Sequence, residues 1–226
     1  MKQLIGMLAA LFIFVPGASF ADNQVTQDAL GNMRLGDPNA PVTVTAYSVM
    51  TCPGCQYWHK SVFPWLKRTY IDQGKVLFVF VEAPVGSDSQ MNNDYWAYMV
   101  ARCAGPDHYF DMIDFMLRNS GYAINQEISA EARRMKVDYE SATRYAAGRR
   151  AGLTDGQIYD CENNAAVWQA IDERYRTNWQ VLHDADPSNK IGNSPWFLVN
   201  GHALTGTDRY EMKGMRRAIE AMLTGH

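Results

Sequence analysis

The chain has 226 residues, 47% of them apolar, and a formal net charge of −3. That apolar share supports an ordinary globular core, and 21 basic against 24 acidic residues leave no basic stripe for nucleic acid. Its four cysteines raise redox or metal chemistry, to be decided by spacing and compartment.

In chain order, Lys2, the apolar stretch from Leu4 to Val15 and Ser19-Phe20-Ala21 match the charged start, apolar core and small-residue cut of a secretory signal over residues 1–21. The apolar core is shorter than the roughly 20 residues needed to span a bilayer. No cysteine follows the cut to carry a lipid. An uncleaved anchor is the alternative. An exported chain with an even number of cysteines sits where disulfides persist.

Residues 22–32 are polar and are expected to be loosely ordered. Gly36 to Pro41 is a turn-rich lead-in. Val42 to Tyr47 alternates and is β-branched, which predicts a strand. The run from Gln56 to Tyr70 reads as helix, kinked or split by Pro64 and ended at Gly74. Val76 to Val81 is almost wholly apolar, as a strand covered on both faces would be.

From Pro84 to Asn189 the pattern is helical. Asp107 and Ser129 are expected N-caps, and Thr154 with Gln157 fits a capping box. Ile158, Cys161, Ala165, Trp168, Ile171, Tyr175, Trp179 and Leu182 recur at steps of three and four, one helix face. Gly148 and Gly152 are expected breaks. Trp196 to Val199 returns to strand, Asn200-Gly201 is a hairpin signal, and His202 to Thr205 is the return strand. A closing helix over Asp208–Leu223 puts Met212, Met215, Ile219 and Met222 on one face, as core rather than as a copper site. The expected division is 1–21 signal, 22–83 and 190–226 as two parts of one α/β domain, and 84–189 as a helical insertion.

Cys52-Pro53-Gly54-Cys55 stands between the first strand and the first helix, the setting of a redox-active pair. Proline suits the first helical position, which makes Cys52 the N-cap. There, free backbone N–H groups and the positive helix end favour a thiolate, the nucleophile of disulfide exchange. Cys55, one turn inward, suits the resolving role. Half a zinc site, a structural disulfide or chance would give the same four letters. Ser194-Pro195 stands immediately before a strand, where proline is tolerated.

Taken in order, Gly36-Asp37-Pro38-Asn39-Ala40-Pro41-Val42-Thr43-Val44, Met50-Thr51-Cys52-Pro53-Gly54-Cys55, Val62-Phe63-Pro64, Tyr70 to Val76, Ala101-Arg102-Cys103-Ala104 and Ser194 to Gly201 resemble the DsbA-like thiol–disulfide oxidoreductases of the bacterial cell envelope. The resemblance covers nearly all of residues 33–226. It implies a thioredoxin fold interrupted by a helical domain, a periplasmic site, and catalysis by Cys52 and Cys55.

It also implies a cis Ser194–Pro195 bond facing the cysteines, with Ser194 offering its backbone to an extended substrate strand. A structural Cys103–Cys161 disulfide is implied too, with two inert thiols as the alternative. No cofactor and no metal are implied. The partners would be reduced exported proteins and a quinone-linked, DsbB-like membrane oxidant, the enzyme being a monomer because Asp22 to Met33 is too short for a dimerisation segment.

Two departures stand out. The family often carries an acid six positions before the first cysteine, and this chain has Ala46. Gly54 replaces a histidine that would stabilise the Cys52 thiolate, so a milder oxidant than the strongest members is expected. His59 reads as an exposed surface residue, and Tyr57, Trp58 and Trp65 as an apolar rim, with core packing the better use of Trp65. Isomerase or reductase activity, a zinc or copper module on Cys52 and Cys55, and a redox-inert holdase are the competing functions.

Overall fold

The computed structural model describes residues 24–86, 88–120, 125–187 and 193–225. The expected signal, residues 1–21, and Gly192 lie outside the described residues.

The polar N-terminal segment forms structure, against expectation: β1 (Val25–Gln27) and β2 (Met33–Leu35) make an antiparallel hairpin. Asp28 Oδ1 accepts the Leu30 N–H at 2.9 Å and the Asn32 N–H at 2.8 Å, an Asx-type turn. Met33 and Leu35 alternate with Arg34 and are buried, which docks β2 on the sheet.

β3 (Val42–Ser48) leads to α1 (Pro53–Ser61) and α2 (Phe63–Leu66), which break at Val62, just before Pro64. A π-helical turn over Lys67–Ile71 runs into Gly74, whose positive φ of 65° suits a residue without Cβ. β4 (Val76–Glu82) follows and is buried along its whole length, as its unbroken apolar run requires.

Six helices precede the next strand: α3 (Asp88–Cys103), α4 (Pro106–Asn119), α5 (Gln126–Met135), α6 (Tyr139–Arg150), α7 (Asp155–Glu162) and α8 (Ala165–Ala185). The Thr154–Gln157 capping box is present. Asp107 lies inside the first turn of α4, whose cap is Gly105 with Pro106 at the first helical position. Ser129 lies inside α5, capped by Asn125. Both expectations failed because a better terminator stands two to four residues upstream. Gly148 is inside α6, where a Cβ would fall 2.6 Å from Ile158 Cδ1; it is a close-packing glycine, and the break comes at Gly152, φ 87°. The apolar stripe spans two helices rather than one, because Asn164 caps α8 by accepting the Ala166 and Val167 N–H groups. Trp168 on that stripe is 42% exposed.

β5 (Trp196–Val199) and β6 (His202–Ala203) close a hairpin through Asn200 and Gly201, both at positive φ, as a type I′ turn needs. A 3-10 turn over Gly206–Tyr210 precedes α9 (Met212–Thr224). Met215 and Ile219 are fully buried, whereas Met212, at the helix start, is 46% exposed.

Among the described residues the strands form one sheet in the order β1-β2-β4-β3-β5-β6, with β3 and β4 parallel and the other pairs antiparallel. One face carries Val44, Ala46, Phe78, Phe80 and Phe197 under α1, α9 and the first insertion helices. The other carries Tyr47, Val79, Val81 and Leu198 under α8, through Leu182 and Trp179.

A buried ion cluster ties the helices to the sheet. Glu82, at the end of β4, accepts from Arg102 Nε at 2.6 Å, Tyr109 Oη at 2.9 Å and Arg174 at 3.2 Å. No helix among the described residues is long and apolar enough to cross a membrane.

Candidate active site

β3 ends at Ser48, and the chain turns through Val49 to Thr51 into α1. Cys52 is the N-cap, in extended conformation, with Pro53 at the first helical position. This geometry follows from the sequence: proline cannot donate to the preceding turn but is harmless where helical N–H groups are free anyway.

The Ser194–Pro195 bond is cis. β5 pairs with β3 through Tyr47↔Trp196, so the residues just before β5 come to lie over the start of α1. The Ser194 hydroxyl donates to Cys52 Sγ at 3.0 Å, and the Cys52 thiol faces the Ser194 carbonyl oxygen at 3.7 Å. Tyr210 Oη donates to the Asn193 carbonyl at 3.3 Å and steadies the loop. A Cβ on Gly54 would sit 3.2 Å from the Ser194 carbonyl oxygen and 3.7 Å from Cys52 Sγ. The position therefore holds the smallest side chain where two segments converge.

The two cysteines are free thiols in sharply different surroundings: Cys52 is half-buried and Cys55 is buried. The Cys52 thiol is lowered to about 5, chiefly by the Cys55 S–H donating to it. The Ser194 hydroxyl and the Cys55 and Gly54 N–H groups lower it further, and burial opposes all of these. Burial pushes Cys55 well above its ordinary value, the negative Cys52 sulfur adds to that, and the Val49 N–H, 3.4 Å from its Sγ, opposes it. One sulfur is thus a thiolate at neutral pH and its neighbour holds a proton. That is the division of labour of an attacking and a resolving thiol.

The aromatic neighbours divide. Tyr57 is 61% exposed beside the site and lines a cleft of about 360 Å³ with Pro53, Gln56, Lys60 and Leu117. Trp58 is core, 4.6 Å from the Phe197 ring. Trp65 is half-buried, edge-on to Tyr70 and under the Arg216 guanidinium. His59 is not a surface residue: it is buried, stacked on Phe63 at 4.4 Å, with Nε2 3.0 Å from Asp114 Oδ1. Burial lowers its pKa against the pull of Asp114. It lies one helical turn past Cys55 and packs against α4 through Asp114.

Cys103, at the end of α3, and Cys161, in α7, are bonded to each other. They offer Cys52 and Cys55 no second thiolate pair of the kind structural zinc needs. Among the described residues no group of three metal-ligating side chains converges.

Sequence reasoning missed Asp94. Ala46, where an acid was sought, is buried among Trp58, Phe78 and Phe197. A carboxyl instead reaches the site from α3: Asp94 is 0% exposed, and its Oδ1 accepts the Thr51 N–H at 2.8 Å. Burial raises it to about 7, against the Thr51 and Val85 donors, and the Cys52 charge adds to the rise. The signal was available. Asp94, Tyr98 and Ala101 share one helix face, and an acid on an otherwise apolar face calls for a reason.

Residues 28–221 match a thioredoxin family model. A Rickettsia bellii protein whose name places it among the protein-disulfide oxidoreductases is 28% identical over 192 residues, 84% of this chain and 63% of that protein. A counterpart from Rickettsia prowazekii is 37% identical over 195 residues, 85% of this chain and 61% of its own length. This chain thus spans about three fifths of the length of those relatives. The crystal structure of Wolbachia pipientis alpha-DsbA1 superposes with a TM-score of 0.65 at 22% identity, covering 88% of this chain and 94% of that one. With the sheet order, the Cys-x-x-Cys helix start and the cis-proline loop already in place, these matches show that the chain belongs to the thioredoxin family and has a DsbA-like fold.

Proposed function

We propose that this protein is a periplasmic dithiol oxidase, which donates the Cys52–Cys55 disulfide to exported proteins. The observation that carries this reading is the opposed pair of thiols: Cys52 held as thiolate under Ser194, Cys55 held protonated behind it. A reduced form stabilised in this way makes the disulfide a good donor.

A substrate thiolate attacks Cys52 Sγ, the sulfur that solvent reaches. A mixed disulfide forms, and Cys55 leaves and takes a proton. A second substrate thiol then attacks the substrate sulfur of the mixed disulfide and expels Cys52 as its stabilised thiolate. The substrate leaves with the disulfide, and both enzyme cysteines are reduced. The Ser194 backbone, one residue before Pro195 and over Cys52, would pair with an extended substrate segment in the manner of an added strand.

Regeneration requires an oxidant that takes two electrons from the pair, and a quinone-linked, DsbB-like membrane protein would serve. The periplasmic assignment rests on the signal-like sequence of residues 1–21.

The test is the reduction potential of the Cys52–Cys55 pair against glutathione, with Cys103–Cys161 followed separately by mass spectrometry. A value of about −120 to −180 mV supports a donor. A value near about −270 mV, as in thioredoxin, makes the protein a reductant and overturns the oxidase reading. The absence of a histidine at position 54 and a thiol near 5 favour the milder part of the oxidase range.

A further inference from the structure

Asp94 does something the exchange reaction as written does not use. Its carboxyl is wholly buried; one oxygen binds the peptide N–H of Thr51, the residue before Cys52, the Thr51 side chain and the Val85 N–H also act on it, and Oδ2 has no hydrogen bond of normal geometry among the described residues. If holding Thr51 were its only task, a neutral side chain with one oxygen would suffice, without the cost of burying an ionisable group.

The groups around it do not supply a counter-charge. On its own helix, Tyr98 is committed to the Ser48 carbonyl at 2.6 Å. From α6, Arg144 reaches the neighbouring Asn93 at 3.1 Å but is paired to Glu162 of α7 at 2.8 Å. Glu140, on the same small cleft as Thr51 and Asn93, would only repel it. On α8, Asp172 is paired to Arg176. The charge that changes beside Asp94 is the Cys52 sulfur, and two neighbouring acids in a buried site do not both ionise freely.

We propose that Asp94 is a positioning residue that couples a proton to the redox state of Cys52–Cys55, taking one up when the disulfide is reduced and releasing it on reoxidation. The inference rests on the thiol-exchange reading above. The balance is simple. A substrate dithiol gives up two electrons and two protons and becomes a disulfide. The Cys52–Cys55 bond accepts both electrons and breaks. One proton stays on Cys55; the second, which Cys52 would keep at an ordinary thiol pKa, is taken up by Asp94 as far as the new Cys52 charge raises its carboxyl, and by solvent for the rest. The family's usual strand acid is missing at Ala46, and the helix supplies the proton site from the opposite side.

The experiment is a reduced-minus-oxidised infrared difference spectrum at pH 7, with dithiothreitol as the reductant, on the wild-type protein and Asp94→Asn. Asparagine keeps the oxygen that accepts from Thr51. The wild type gains a protonated-carboxyl band on reduction, and the variant does not. Between pH 5 and 8 the equilibrium constant for reduction falls further in the wild type than in the variant, by tenfold for each unit by which reduction raises the Asp94 carboxyl.

Cys52→Ser provides a second route that leaves Asp94 in place: without the thiolate, the protonated-carboxyl band at pH 7 is weaker than in the reduced wild type. A reduced wild type with no carboxyl band, or a variant with the same pH slope, overturns the coupling and leaves the oxidoreductase reading standing. Failure of dithiothreitol to reduce any Cys52–Cys55 bond overturns both.

Discussion

Ser194 and Cys52, 142 positions apart in sequence, meet side chain to side chain at 3.0 Å. The serine hydroxyl donates into the sulfur, so it stabilises the thiolate over the thiol. Ser194→Ala removes that donor but keeps the backbone that faces the substrate. A hydrogen bond to a charged group is worth about 1.5 kcal/mol, or about one pKa unit. The Cys52 thiol should therefore rise from about 5 to about 6. Thiolate absorbance followed against pH checks this, and an unchanged titration would exclude the hydroxyl as a stabiliser.

Among the described residues Cys55 is the free thiol placed to resolve a stalled mixed disulfide at Cys52 by attack from within the site. Cys55→Ser should leave the Cys52 thiolate able to attack an added disulfide, expelling one of its sulfurs as thiolate, and unable to release the mixed disulfide that forms. Covalent adducts at Cys52 would accumulate and be seen by non-reducing electrophoresis and mass spectrometry. Cys52→Ser should give none; adducts that form there would move the nucleophile elsewhere.

Asp94 also makes a stability prediction with a definite sign. Its carboxyl binds a proton more tightly in the folded protein, at about 7, than at its ordinary 3.8. The favourable contribution is complete below pH 3.8 and is lost as pH rises through 7. Asp94→Asn should match the wild type near pH 4 and be the more stable above pH 7. The full shift sets a ceiling of about 4 kcal/mol at roughly 1.4 kcal/mol per unit. Urea denaturation of the reduced proteins at both pH values measures it.

The Cys103–Cys161 bond joins α3 to α7 across 58 residues. Closing a loop of that size restricts the unfolded chain by about 4 kcal/mol in the entropic picture. The double variant Cys103→Ala, Cys161→Ala should unfold at lower urea by an amount of that order and retain the Cys52 titration, since neither residue touches the site. A shifted Cys52 pKa would show that the bridge also shapes the active helix.

Glu82 tests the clamp between helices and sheet. Its two oxygens serve Arg102, Arg174 and Tyr109 in a buried place, so Glu82→Gln leaves two arginines without their anion. Breaking one side of a buried ion cluster costs about 3–5 kcal/mol. Thermal unfolding should show a clear loss, whereas an unchanged midpoint would mean that water replaces the carboxylate.

Much of this architecture was legible in the letters. β3, β4 and the β5–β6 hairpin follow from β-branched runs and Asn200-Gly201, signals that act within a few residues. The same holds for Cys52 at the N-cap, which Pro53 dictates. What was not legible depends on distant partners. The β1–β2 hairpin is short and polar, and β2 is a strand because β4 accepts it through Met33↔Phe80 and Leu35↔Phe78. His59 looks polar and local, yet α4 covers it and supplies Asp114. Asp94 stands 42 residues beyond Cys52 along the chain, and only the docking of α3 brings it to Thr51.

Beside the Cys55 S–H and the Ser194 hydroxyl, peptide groups hold the two sulfurs: the Val49 N–H at Cys55 and the Gly54 and Cys55 N–H groups at Cys52. No codon change deletes a peptide N–H short of introducing proline. Substitution scanning is therefore blind to this backbone share of what sets the chemistry, although it reaches the Cys55 and Ser194 side chains. Replacing the Val49–Met50 amide with an ester by chemical synthesis would leave the Val49 donor intact, whereas an ester at Ser48–Val49 would remove it.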